Sequence, residues 1–265
     1  MSNKAQIRED AKKLNPIDDA LFMVMAEEKS FCQEILRVIL ADDKLIVARH
    51  IPQKTLKNLQ GRSCILDLEC ILGSGDHVGV EVQKVNDDDH QRRLRYDGSL
   101  LTASIAEPGS KFQEIPDVIM VFISKFDIFA GGYPLYHVDR VIRELDKRTD
   151  NGLTEIYVNA AVDNGSDVAR LMKVFNEDEA YDDEKFPSTS ECKRRFKTTE
   201  EGVSRMCEII EKYRNEGREE GREEGRTEGR MNMLMELVRK NILSIKDAAE
   251  QAGMTEAAFK KMAML

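Results

Sequence analysis

The sequence is short of the features that would place it in several common classes. It has five cysteines, an odd number, at Cys32, Cys64, Cys70, Cys192 and Cys207, and no C-x-x-C spacing. That excludes a disulfide framework of the secreted kind and reads as reduced, packed thiols. Its four histidines, His50, His77, His90 and His137, are scattered, with no helix-spaced pair and no neighbouring cysteine, which argues against a zinc site. Long hydrophobic runs are also missing. The longest, "VIMVFIS" at 118–124, is far below the length a bilayer-spanning helix needs. The first residues, "MSNKAQIREDAKKLNP", are charged throughout and show no signal-peptide pattern, so a cytoplasmic protein without membrane contact is expected. Nor is there a basic excess. Forty Lys and Arg face 49 Asp and Glu, a net charge of −9. A general nucleic-acid coat is thereby disfavoured. An acidic metal pocket beside local basic strips remains compatible with that total.

The 265 residues are enough for one large domain with an appendage. Residues 17–40 read as one helix, with Leu21, Met25, Phe31, Ile35, Leu36 and Ile39 at helical spacing and a slip near 27–29. Residues 64–72, "CILDLECIL", and 78–83 read as strands joined by "GSGD", a hairpin. Leu66, Leu68, Cys70 and Leu72 are expected on one face, with Ile65, Asp67, Glu69 and Ile71 on the other. A helix over 87–106, opening on acids, a buried strand over 117–124 and another strand within 153–162 complete a mixed α/β pattern. The acidic stretch "NEDEAYDDEK", 176–185, is expected to be a mobile loop, and "KRRFK" at 193–197 fits a phosphate contact or an ordinary surface equally.

The segment "GVEVQK", 79–84, places Val80 and Val82 on one face and Glu81 and Gln83 on the other. If Gly73, Ser74 and Gly75 form a three-residue loop, Leu72 pairs with Asp76, and counting back sets Asp67 opposite Glu81. Like charges facing each other across a sheet repel. A divalent cation held between them would turn that repulsion to use, since Mg²⁺ takes oxygen ligands and is often held by one or two carboxylates. A solvated polar face explains the same spacing, and a register slip of one residue would separate the two acids.

The series "DDALF" (Asp19 before Phe22), Asp67, "GVEVQK" and "DDDHQRRLRYD" resembles the PD-(D/E)xK nuclease superfamily, and within it the recombination-promoting nuclease or transposase-like branch. That branch carries an acid before a Phe in its first helix, a strand Asp, an E-x-Q strand and then an Arg/Tyr-bearing helix. "FDIFAGGYPLYHVDRVIRE", "IYVN" and the G-R-E-E repeat are similar to it as well, so the resemblance spans roughly residues 15–230. It implies an α/β, restriction-endonuclease-like core, a central mixed sheet flanked by helices, with a C-terminal helical extension. It also implies a metal-dependent DNA endonuclease associated with recombination or mobile elements. Asp67, Glu81 and the backbone carbonyl of Val82 would hold Mg²⁺ or Mn²⁺, with Asp67, Glu81 and Gln83 as the catalytic set. Gln83 stands where the superfamily usually has Lys, and an amide orients by hydrogen bonds but carries no charge. Asp19 is either a further acid at the metal or a helix-start acid. Arg93 and Tyr96 are assigned to the site, and Arg92 and Arg95 to DNA phosphates. The alternative is a catalytically weak or inactive nuclease fold that binds DNA or partners.

Residues 1–200 are therefore expected to be the nuclease-like domain, 201–240 a long helix or linker, and 241–265 a small helical end piece. In "GREEGREEGRTEGR" the glycines at 217, 221, 225 and 229 would line one helix face, at a cost of about 1 kcal/mol each relative to alanine. Close packing against a second helix, across a homodimer, would offset this. A solvated linker is the competing reading. In "SIKDAAEQAGMTEAAFKKM", Ala249, Gly253 and Phe259 resemble helix-turn-helix spacing, but only Lys260 and Lys261 are basic in the second helix, which favours a packing module over DNA reading.

Overall fold

The computed structural model describes residues 3–58, 61–87 and 89–263. Asp88 of the acidic helix start thus lies outside the described residues. In chain order the elements are α1 (Asn3–Lys12), α2 (Asp19–Met25), α3 (Lys29–Ile39), β1 (Val47–Leu56), β2 (Cys64–Leu72), β3 (His77–Gln83), α4 (His90–Ile105), β4 (Val118–Ser124), β5 (Leu135–Val138), β6 (Arg140–Ile142), β7 (Lys147–Thr149), β8 (Leu153–Asn159), α5 (Asp167–Asn176), α6 (Pro187–Thr198), α7 (Glu200–Arg239), α8 (Ile245–Gln251) and α9 (Glu256–Ala263). Two compact units result, Met1–Glu208 and Ile209–Leu265.

The first unit is built on a six-stranded sheet in the order β1-β2-β3-β4-β8-β5. The β2 strand runs antiparallel to both β1 and β3; β3, β4 and β8 run parallel, and β5 returns antiparallel at the far edge. Parallel β3 and β4 need a crossover, and α4 supplies it. This helix packs on one face of the sheet, where Leu94 and Leu101 meet Leu66, Met120, Phe122 and Tyr157. Two glycines permit the close approach: a Cβ on Gly98 of α4 would lie 2.9 Å from the Met120 side chain, and one on Gly79 of β3 2.7 Å from its sulfur. On the other face α2 and α3 close a core around Phe22, Phe31 and Phe175, with ring centroids 5.8–6.4 Å apart. Each of these fully buried rings contributes about 2–3 kcal/mol of transfer free energy. This is the mixed sheet flanked by helices that the sequence predicts.

Residues 17–40 form two helices, not one. On a continuous helix Phe22 and Phe31 would point about 180° apart. The break over 26–28 resets the phase, and both rings enter the same core. Glu27 and Glu28 at the break are held by Arg205 and Arg195 at 2.5 and 2.6 Å. The strand β1 carries no sequence expectation. Its Pro52 suits the sheet edge it occupies.

The 176–185 stretch is tied down, contrary to expectation. Lys193, fully buried, donates to the carbonyls of Val174 at 2.9 Å, Ala180 at 3.1 Å and Glu177. Lys197 bonds Asn15 and Asp178, each at 3.1 Å, and Arg194 pairs with Asp183. The "KRRFK" cluster therefore faces inward partners, which removes the phosphate-contact reading for Lys193 and Lys197. Burial, then the neighbouring Lys197, lowers the Lys193 ammonium to about 8.

In the second unit the end of α7 packs with α8 and α9 around Leu234, Val238, Ala248, Ala249 and Phe259. Gly253 makes the turn at φ +68°, where glycine is favoured. The G-R-E-E segment is helical, and Cβ atoms added at Gly217, Gly221, Gly225 or Gly229 would meet nothing within 4 Å. Among the described residues no helix is long and apolar enough to cross a membrane.

Candidate active site

The β2–β3 hairpin follows the counted register. Leu72 N–H donates to Asp76 O at 2.9 Å, and Ile71, Cys70, Glu69 and Leu68 pair with His77, Val78, Gly79 and Val80. The pairing then stops, one step short of Asp67. Instead of a ladder bond, the Val82 N–H donates to Asp67 Oδ2 at 2.8 Å. N–H and C=O of one strand residue point to the same side. The Val82 carbonyl therefore faces the same gap between β2 and β3. The expected alternation of β2 also slips here. Leu66 belongs to the α4 side with Met120, whereas Cys70 hydrogen-bonds Cys32 of α3 on the opposite side. Gln53, which falls between the Pro52–Leu68 and Lys54–Leu66 pairs of the neighbouring strand, has φ +51°. Both strands are thus irregular at the level of Asp67, which frees its carboxylate from an ordinary strand face.

Glu81 is 1% exposed. Its Oε2 accepts from Arg93 Nη2 at 2.5 Å, and its Oε1 has no hydrogen-bond partner among the described residues. Burial, reinforced by Asp67, pushes its carboxyl well above the ordinary range. Burial likewise raises Asp67, to about 6, despite the Val82 N–H. A buried carboxylate with an orphaned oxygen beside a half-buried one leaves a cost that a protein normally avoids.

The surrounding placement is specific. Gln83 Oε1 accepts from Arg93 Nη1 at 3.3 Å, while its Nε2 donates to Val85 O at 3.0 Å and Asp87 Oδ1 at 3.3 Å. Asp19, the first residue of α2, is open to solvent on one side but close enough to Asp67 to raise it. Its own carboxyl is raised by loss of hydration and by Asp18. Lys84 turns away to the Asp18 side, with Nζ–Oδ1 at 2.5 Å. Asp67, Glu81, Gln83, Arg93 and Asp19 therefore converge. Tyr96 does not join them: its hydroxyl bonds Arg62 O and accepts from Asn58 at 3.1 Å, bracing the chain before β2. Arg92 lies on the exposed side of α4 beside Asp89, at 3.1 Å, and Arg95 is exposed. A cleft of about 800 Å³ is lined by Thr55, Arg62, Arg92, Arg93, Tyr96 and Asp97, with Arg93 as its link to Glu81.

Sequence reasoning missed Asp97. It is 3% exposed, its carboxylate sits 3.7 Å from Arg93 Nε, and the Cys64 thiol hydrogen-bonds it. The i,i+4 spacing of Arg93 and Asp97 on a helix was the available signal. Among the described residues no three His, Cys, Asp or Glu side chains are assembled to hold a metal. The donor set on offer is two carboxylates with the backbone, and the unpartnered Glu81 oxygen beside Asp67 fits a hard divalent cation.

A mixed sheet flanked by helices, with paired acids where two central strands separate, defines the restriction-endonuclease-like class. Residues 20–239 match the family described as PD-(D/E)XK nuclease family transposase, and the chain belongs to it. It is thus a nuclease-fold protein linked to mobile elements, and nucleases of this superfamily generally use divalent metals. No curated protein and no solved structure matches the chain.

Proposed function

We propose that this protein is a Mg²⁺- or Mn²⁺-dependent DNA endonuclease acting in recombination or on mobile elements. The observation that carries the reading is buried Glu81, with an oxygen unpartnered among the described residues, beside half-buried Asp67. Asp67, Glu81 and the Val82 carbonyl would hold the metal, which when bound would supply Lewis-acid polarisation of the phosphate and a more acidic water. Hydrolysis places the water's hydroxyl on phosphorus and its proton on the leaving sugar oxygen as the P–O bond breaks. Gln83, anchored through Val85 and Asp87, orients groups at the site without contributing charge. Asp19 adds a flanking acid. Tyr96 shapes the cleft wall, and Arg92 and Arg95, exposed on α4, meet DNA phosphates. The nuclease part would be 1–200, with 201–240 forming a homodimer through its glycine stripe and 241–265 as an end module.

The test is Mg²⁺-dependent nicking of supercoiled plasmid by purified protein, with Asp67→Ala as control. Cleavage that vanishes in a folded Asp67→Ala protein is the expected result; cleavage that persists there removes the site. A second reading, a nuclease fold that binds DNA without cutting it, is favoured by the neutral Gln83. DNA binding with no Mn²⁺ affinity would select it. Sedimentation of the full chain against a chain ending at 208 tests the dimer.

A further inference from the structure

We infer that Arg93 supplies the positive charge of this catalytic centre and that Asp97 is the positioning residue that holds it there. The inference rests on the endonuclease reading above. Hydrolysis of a phosphodiester builds negative charge on the phosphoryl oxygens, and preorganised cations at that point are a large part of catalysis. Of the strand neighbours of Glu81, Gln83 is neutral, and Lys84 pairs with Asp18, on the side of the flanking Asp19. Arg93 reaches in from α4. Its Nη2 lies 2.5 Å from Glu81, its Nη1 3.3 Å from Gln83 and its Nε 3.7 Å from Asp97. Asp19, Asp67, Glu81 and Asp97 all feel it as a favourable charge.

The geometry is a fork held at both ends. Gln83 and Glu81 take the two terminal nitrogens, and Asp97, one helical turn along α4, takes the inner edge. Asp97 is itself fixed. It is buried against the sheet next to Gly98, whose missing side chain lets α4 approach Met120, and the Cys64 thiol bonds it. Burial pushes that thiol up to about 12, so it remains a donor. Arg93 keeps 36% of its side chain exposed, towards the cleft it lines with Arg92 and Arg62. It can therefore meet a phosphate without leaving the acids. Gln83 acquires a further role as the rest on which Arg93 lies.

The experiment combines plasmid nicking with Mn²⁺ affinity measured by electron paramagnetic resonance on wild type, Arg93→Met, Gln83→Lys/Arg93→Met, Asp97→Asn and Asp97→Asn/Arg93→Met. Arg93→Met is expected to nick on the order of 10²-fold more slowly while binding Mn²⁺ as tightly as wild type or tighter, because a cation has left the carboxylates. A merely structural arginine would weaken both together. Gln83→Lys/Arg93→Met, which returns a cation to the spot where Nη1 lay, is expected to recover roughly tenfold or more of the loss. Asp97→Asn is expected to slow nicking in the wild-type background and to have no further effect with Arg93→Met. Failure of the lysine to rescue, or parallel loss of Mn²⁺ affinity and nicking, overturns the role of Arg93. Additive loss in the Asp97→Asn/Arg93→Met protein overturns that of Asp97. Wild-type protein that binds Mn²⁺ yet never nicks DNA overturns the endonuclease reading, and the charge role with it.

Discussion

Two of the places where the protein buries charge are built on opposite principles. On α6, Lys193 is fully enclosed and its ammonium spends its donors on three carbonyls, while Lys197 meets Asn15 and Asp178. Each charge there has partners, and together they fasten 174–180 to the core. Between β2, β3 and α4, Asp67 and Glu81 sit near one another with raised carboxyls and a Glu81 oxygen that no hydrogen bond satisfies among the described residues. The first cluster completes its hydrogen bonds and stabilises. The second withholds them, and that deficit is the physical sign of a group kept ready for a ligand. Buried Glu69, two residues from Asp67, is intermediate between the two kinds: His77 lies 2.7 Å from its Oε1, while Oε2 has Lys54 at 2.8 Å as an ion-pair partner but no aligned hydrogen bond among the described residues.

Substitutions should move the two clusters in opposite directions. The largest effect is on cleavage: Glu81→Gln is expected to slow Mg²⁺-dependent nicking by on the order of 10²–10³-fold without lowering the melting temperature. A folded variant that cuts at the wild-type rate would place the chemistry elsewhere. Lys193→Ala should destabilise by roughly 2–4 kcal/mol, since it strands buried carbonyls, read as a lowered urea midpoint at unchanged slope. Asp67→Asn should do the reverse. The folded Asp67 carboxyl is raised to about 6 from an ordinary 3.8, so the folded chain holds more protons between those values. Metal-free stability is therefore lost as pH rises through that window. The asparagine variant should gain about 1–3 kcal/mol at pH 7, and the gain should vanish near pH 4. A variant less stable than wild type at pH 7 would mean that the acid cluster is structural after all. Arg92→Ala and Arg95→Ala should each weaken oligonucleotide binding modestly and reduce its salt slope by about one. The smallest effect concerns the helix stripe. Gly221→Ala should raise stability by about 1 kcal/mol if that face is solvated, and should instead weaken self-association in sedimentation if it is a dimer contact.

Much of the site was legible because a tight turn sets a hairpin's register. Gly73–Gly75 placed Leu72 against Asp76, and the count toward Glu81 holds as far as Leu68–Val80. What it missed was the break at Asp67, where the irregularity at Gln53 and the side-chain bond to Val82 replace regular pairing. Such breaks depend on three strands at once and leave no local pattern. The helix split at 26–28 was partly visible as a slip in periodicity, but its cause, the need to bring Phe22 and Phe31 into one core, is not local either. The acidic 176–185 stretch read as mobile because its anchors, Lys193 and Arg194, come from a later helix.

The β2–β3 hairpin with its register as far as Leu68–Val80, the helix and buried strand that follow it, and the residue types at the site follow from the sequence alone. They depend on short-range rules of alternation, helical period and turn geometry, and the motif order that carried the family resemblance is itself linear. Only the tertiary structure decided which charges are completed and which are left wanting. It closed Lys193 behind three carbonyls, sent Tyr96 to the chain before β2, and brought Arg93 and Asp97 from α4 onto Glu81. Hydrogen-bond satisfaction is a property of surroundings drawn from distant parts of the chain, so residue type and spacing do not reveal it.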